Sequence, residues 1–342
     1  MTDESVSVDL SLSDATDCAV RALSALGFSN EESAIISANL LDAELCGYPA
    51  LGLARILTIK EHPYFAHPRT ALAIEFETPV SARMDGGNYP GFYAVYRATQ
   101  LAIEKARLHG FSLVSMHNSW LSGRSAYYME LITRAGLAGI HFACSAPVVA
   151  PLGGRVPALG TNPIAFGVPA EPHPLILDIG TSATNNGDVV LATRLKTLLP
   201  EGVAIDKEGH PTQDPWAALS GAILPFGGHK GFGLSVMSQA MGLMAGTMLT
   251  RGQLQDFGFL FIVFDPHLLM PKQDLMNYVT QLMSQIKNTP RQPGVDEIRL
   301  PSERAFALRA KRVAAGAGIG LDARIWDQLL ALGSPSVAGA SH

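Results

Sequence analysis

Apolar residues recur with a helical period through the first eighty positions. Ser29-Asn30-Glu31-Glu32 has the form of a capping box, and Ile35, Ile36, Leu40 and Leu41 follow at helical spacing. Residues 14–26 predict a preceding helix that stops at Gly27, and the prolines at 63 and 68 break the pattern. From residue 92 the pattern changes. A helix is predicted over 92–108, ended by Gly110, then a strand over 111–116, a helix over 127–134 and strands over 140–144, 164–168 and 175–179. A Met-rich helix is predicted over 231–246, with Met237, Met241, Met244 and Met248 on one stripe that reads as a core face or a dimer seam. The run 259–264 is apolar throughout, as a strand buried on both faces would be. The tail returns to helices over 275–286, 302–314 and 322–332. Helical ends around a mixed middle predict an α+β protein. Residues 1–80 and 287–342 are expected to form one helical domain from both chain ends, and 81–286 a mixed α/β domain around a central sheet.

Composition narrows the function classes. Of 342 residues 47% are apolar and 16% charged, so a sizeable core is available. The net charge of −5 gives no support to nucleic-acid binding. No apolar run reaches the length of a membrane span, and the acidic start MTDESVSVDL lacks the parts of a signal peptide. Cys18, Cys46 and Cys144 lie far apart with no metal-type spacing, which fits buried, reduced thiols and a cytoplasmic protein. A strand–GxGxxG–helix fingerprint is missing. The nearest text, residues 316–320, follows a helix and reads as a helix cap and turn. No Walker A sequence occurs. Taken alone, these features stop at a globular α+β protein.

Three dense segments go further. They are Ala158-Leu159-Gly160-Thr161-Asn162-Pro163-Ile164-Ala165, then Leu177-Asp178-Ile179-Gly180-Thr181-Ser182 closing at Gly187-Asp188, then Leu224-Pro225-Phe226-Gly227-Gly228-His229-Lys230-Gly231. In this order and spacing they resemble the malate/L-lactate dehydrogenase-like family, over roughly residues 10 to 333. That family includes malate, lactate, ureidoglycolate, sulfolactate and diketogulonate enzymes and reductases of cyclic imino acids. The resemblance implies a non-Rossmann fold, a homodimer, and a hydride-transferring oxidoreductase that uses NAD or NADP on a small carboxylate substrate. It places the cofactor against His229, Lys230 and Gly231, against Asp178, Ile179, Gly180 and Ser182, against the loop Leu121, Ser122, Gly123, Arg124 and Ser125, and against Ser302, Glu303 and Arg304. The residues themselves agree at one point: a Gly-Gly-His-Lys-Gly turn opening a helix offers N–H groups and a cation to a pyrophosphate. Arg304 as a partner for a 2′-phosphate favours NADP over NAD.

The catalytic segment departs from the family's pattern. Ser-His-Gly followed by an arginine is matched here by Ala50-Leu51-Gly52-Leu53-Ala54-Arg55, so the serine is Ala50 and the proton-donating histidine is Leu51. A second family histidine is replaced by Leu121. Asp188 matches the aspartate that supports the missing histidine. Arg55 is expected to grip the substrate carboxylate, with Thr161, Asn186 and Trp120 as further substrate contacts. Ketone reduction creates an alkoxide that needs a proton donor, whereas hydride addition to a protonated cyclic imine leaves a neutral amine. The absent histidine therefore favours a 2-imino over a 2-oxo carboxylate. Asp188, held by apolar neighbours in its protonated form, Tyr48 and His117 are the candidate substitute donors. The alternatives are a 2-hydroxy acid dehydrogenase with such a donor and a catalytically inactive nucleotide-binding relative.

Overall fold

In the computed structural model, residues 7–254, 256–314, 316 and 318–334 are described. The chain divides into two compact units, residues 1–67 with 305–342 and residues 68–304.

The first unit is helical, with a small sheet that joins the chain ends. Strand Ser7–Leu10 pairs antiparallel with Ile319–Asp322, Ser7 opposite Asp322. Part of the Gly-rich text at 316–320 is thus a strand rather than a turn. Gly318 is required there, because a Cβ would stand 2.0 Å from the Leu10 carbonyl oxygen. Helix Leu12–Ala25 buries Ala15, Cys18, Ala19, Ala22 and Leu23, one face at helical spacing. Helix Asn30–Leu45 opens on the expected capping box: Ser29 accepts from the Glu32 N–H and Glu32 accepts from the Ser29 N–H.

The second unit is built on a seven-stranded sheet. Its order is Ala73–Thr78, Ser81–Pro90, Phe111–Trp120, Gly258–Phe264, Ala138–Cys144, Ile164–Val168, Leu175–Ile179. Ser81–Pro90 and Phe111–Trp120 run parallel, and the helix Gly91–His109 supplies the crossover such a pair requires. Gly110 ends that helix in the left-handed region at φ 81°. The apolar strand Gly258–Phe264 lies between two neighbours and is buried along most of its length. Strand Ala73–Thr78 corrects the reading of the first eighty residues as helical, and because it pairs with Ser81–Pro90 it belongs to the sheet. A three-stranded sheet of Ala222–Ile223, Ala204–Ile205 and Pro211–Thr212 covers a small core of Val149, Leu159, Val189 and Leu199. Cys18, Cys46 and Cys144 are buried and free, and burial pushes the Cys144 thiol up to about 12. Among the described residues, no helix is long and apolar enough to cross a membrane.

Candidate functional site

Backbone pairing draws three of the sequence motifs together in the second unit. Beyond the end of strand Leu175–Ile179, Thr181 donates both its N–H and its hydroxyl to the Thr161 carbonyl, each at 2.9 Å. On its other side the Thr181 carbonyl accepts from the Phe226 N–H at 3.2 Å, and the Ala183 N–H donates to the Leu224 carbonyl at 2.7 Å. Residues 158–165, 178–183 and 224–231 therefore form one platform. Asn162 ties it to the helix His229–Met244: its Nδ2 donates to the Ser235 carbonyl at 3.1 Å and to Gln239 Oε1 at 3.1 Å.

The turn before that helix fits a phosphate. Gly227 and Gly228 take φ of 54° and 61°, a region that glycine occupies without strain. Gly231 is held against Phe226 by an N–H to carbonyl bond of 3.0 Å, and a Cβ there would lie 2.2 Å from that oxygen. No side chain caps the 16-residue helix at Gly228. His229 and Lys230 are exposed on its first turn, and a Cβ at Gly227 or Gly228 would meet nothing within 4 Å. The Lys230 and Gly231 N–H groups are taken by the Gly227 and Phe226 carbonyls, at 3.4 and 3.0 Å, so what the turn offers a dinucleotide pyrophosphate is the exposed Lys230 cation at a helix N-terminus and the empty space beside the glycines.

The helix Ser125–Arg134 is closed by contrast. Asp178 Oδ2 accepts from the Ala126 N–H at 2.7 Å and so caps this helix from a strand 52 positions away. Burial raises the Asp178 pKa, while the Ala126 N–H and the Arg124 charge act against that rise. Arg124 is buried and pairs with Glu130 at 2.9 Å. The loop 121–124 is shaped by positive φ at Leu121 and Gly123, and Tyr128 donates its hydroxyl to the Ser122 carbonyl at 2.6 Å. The structure thus joins Asp178 to the 121–126 segment and Gly180–Ser182 to the 224–231 turn. Ser182 donates its hydroxyl to the Thr184 carbonyl at 2.7 Å. Glu303 has a local part instead: it pairs with Lys287 and accepts from the Leu300 N–H, while Ser302 takes φ 61° just before it.

Asp188 stands in the first turn of helix Asn186–Leu195, which Asn185 caps. Its carboxylate accepts from Asn185 Nδ2 and from the Thr184 hydroxyl at 3.4 Å. Asn186 is the first residue of that helix, one position past the cap. His117 corrects an expectation. It is 3% exposed, with Nδ1 2.9 Å from Thr250 Oγ1 and Nε2 3.0 Å from Glu75 Oε2. Both ring nitrogens are engaged by protein groups, so the imidazole is not presented as a proton donor. Trp120 is fully buried with its indole N–H on the Asn88 carbonyl at 3.1 Å, where it braces the strand end.

In the first unit, residues 47–55 form a tight turn over a buried carboxylate. Gly47 takes φ 81°, Pro49–Leu51 is one 3-10 turn, and the Arg55 N–H donates to the Gly52 carbonyl at 2.9 Å to start helix Arg55–Glu61. Tyr48 is half-buried at the head of the turn, and Arg55 is buried. Beneath it, Glu44 Oε1 accepts from the Leu53 N–H at 2.8 Å and fills the space a Cβ on Gly52 would need, 2.1 Å away. Burial lifts Glu44 from 4.5 to about 7, against the opposing pull of the Leu53 N–H and the Arg312 guanidinium. Pattern reading passes over Glu44, since nothing local marks a helix carboxylate as the support of a turn nine residues on.

Comparison with known proteins identifies the family. The profile of the malate/L-lactate dehydrogenase family matches residues 10–330. The malate/(S)-sulfolactate dehydrogenase of Methanothermus fervidus is 33% identical over 91% of this chain and 93% of its own length. The Δ1-pyrroline-2-carboxylate reductase of Ancylobacter novellus is also 33% identical, over 91% and 93%. The crystal structure of Δ1-piperideine-2-carboxylate reductase from Pseudomonas syringae superposes with a TM-score of 0.79 at 30% identity, covering 95% of this chain and 99% of that one.

Proposed function

The chain belongs to the malate/L-lactate dehydrogenase family of NAD(P)-dependent oxidoreductases, and from that premise we propose that it reduces a cyclic 2-imino carboxylate. The observation that carries the reading is Ala50-Leu51 in a turn that keeps Gly52 and Arg55. When bound, NAD(P)H supplies the hydride. Arg55 anchors the substrate carboxylate with a bidentate pair of charge-assisted hydrogen bonds. Leu51 brings no proton, and an iminium substrate needs none at the step where hydride arrives, because its nitrogen keeps the bonding pair and becomes a neutral amine. Asp188 orients the substrate from the Asn185 turn. His229 and Lys230, at the positive end of their helix, bind the pyrophosphate, with NADP favoured through Arg304. The reductases among the relatives support the substrate class, and the dehydrogenases among them carry the alternative, a 2-hydroxy acid oxidised with another donor.

A homodimer accords with the helix His229–Met244. Its buried face is Ser235, Ser238, Gln239 and Gly242, while Leu234, Met237 and Met244 are exposed, together with Met248 and Leu249 just beyond it. The methionine stripe is therefore not a core face in the single chain, and a second copy covering it is the reading we adopt.

Restoring the family's pair tests the substrate argument. The double substitution Ala50→Ser with Leu51→His should raise 2-oxo acid reduction by about 10²-fold or more, the range a positioned proton donor supplies, and leave imine reduction nearly unchanged. A variant that binds NADPH normally and gains nothing on 2-oxo acids would remove the missing donor as the basis of specificity.

A further inference from the structure

Two irregularities in the seven-stranded sheet converge on one spot, the surroundings of His117. The ladder between Ala73–Thr78 and Ser81–Pro90 pairs Ile74 with Met84 and then Phe76 with Arg83, so Glu75 is an extra residue in its strand. The ladder between Ser81–Pro90 and Phe111–Trp120 pairs Asp85 with His117 and then Tyr89 with Ser119, so two extra residues follow Asp85. Bulges of this kind re-aim side chains. Here they bring an imidazole nitrogen of His117 and one carboxylate oxygen each of Glu75 and Asp85 to within 4.8 Å of one another.

Two of the three are also held from behind. His117 Nδ1 lies 2.9 Å from the Thr250 hydroxyl, which fixes the ring and leaves Nε2 turned to Glu75 at 3.0 Å. Asp85 Oδ1 accepts from Asn118 Nδ2 and from the Gly87 N–H, both at 2.7 Å. Partners of this type, one shell out, orient metal ligands and set their basicity. The imidazole is 3% exposed, and Glu75, at 34% side-chain exposure, keeps the cluster open to solvent. Mixed imidazole and carboxylate ligands suit a borderline divalent transition ion, whereas Mg²⁺ and Ca²⁺ favour all-oxygen shells.

We propose that Glu75, Asp85 and His117 form a binding site for a zinc-class divalent cation that fastens the bulged outer strands to the sheet. Water completes the shell, as three protein ligands leave a position open. Arg83 Nε lies 3.1 Å from Glu75 Oε2, so its guanidinium competes with the ion for that carboxylate. The three cysteines are buried and offer no rival surface thiol site.

The test is titration of tag-free, full-length protein with ZnCl₂ by calorimetry, with MgCl₂ as the comparison. One equivalent of Zn²⁺ should bind in the low micromolar range and Mg²⁺ far more weakly. His117→Gln and Glu75→Gln should each weaken Zn²⁺ binding by at least the ~10–100-fold that loss of a supporting partner costs. Arg83→Gln should tighten it. Glu75 is at the sheet's outer edge, so Glu75→Gln keeps the test valid should His117→Gln fail to fold. Absence of saturable binding, or one equivalent of binding that survives both Gln substitutions, overturns the site.

Discussion

Glu44→Gln isolates the most perturbed carboxyl of the first unit. Burial holds the Glu44 pKa at about 7 in the folded protein against 4.5 for an ordinary glutamate. Below pH 4.5 the group is protonated whether the chain is folded or not, and it contributes nothing to pH dependence. Between 4.5 and 7 the folded state retains a proton that the unfolded chain has released, so stability falls as pH rises. The fall is about 1.4 kcal/mol per pH unit. Over about two and a half units that amounts to roughly 3 kcal/mol, fully developed above pH 7. Glutamine removes the charge and keeps an oxygen for the Leu53 N–H, which Glu44 Oε1 accepts at 2.8 Å. Its added N–H donors offset part of the gain, by about 1–2 kcal/mol where they lack partners. Paired urea unfolding of wild type and Glu44→Gln from pH 4.5 to 8.5 reads the difference directly, and other titrating groups cancel. The variant should gain on wild type steadily up to pH 7 and hold that gain above it. Two parallel stability curves would refute the account of Glu44 as a carboxyl strained by burial.

Two other substitutions address the proposed roles. Arg55→Ala should raise the KM for a carboxylate substrate at least tenfold, given about 1.5–3 kcal/mol for a hydrogen bond to a charged group, and should leave the Kd for NADPH unchanged; an unaltered KM removes Arg55 from substrate binding. Gly231→Ala sets a Cβ 2.2 Å from the Phe226 carbonyl and must push the 226–231 turn apart, so NADPH affinity in a fluorescence titration should fall while far-ultraviolet circular dichroism stays that of wild type.

Where the chain advertises local chemistry, its fold can be read from the letters. Ser29 and Glu32 mark a helix start with their own side chains, Gly110 supplies the left-handed cap, and the apolar run at 259–264 becomes the strand with neighbours on both sides. Strand Ala73–Thr78 hides because nearly all its positions are exposed, so its side chains do not alternate. Ser81–Pro90 hides because Gly86, Gly87 and Asn88, the last two at positive φ, look like a loop. Residues 319–322 form a strand only through the distant Ser7–Leu10. The site divides along the same line. The Gly227-Gly228-His229-Lys230-Gly231 turn is visible as a glycine turn that opens a helix, while the Asp178 cap on Ala126 and the His117–Glu75 contact join residues far apart in sequence.

The central claim is that this family member, without its histidine, is built for iminium substrates. Purified protein with saturating NADPH, and then NADH, should be assayed for kcat/KM on Δ1-pyrroline-2-carboxylate and Δ1-piperideine-2-carboxylate against pyruvate, oxaloacetate and sulfopyruvate. The account predicts imine reduction favoured by about 10²-fold or more, the contribution of the donor that Leu51 replaces. Equal or faster reduction of the 2-oxo acids would contradict it and would mean that another group delivers the proton.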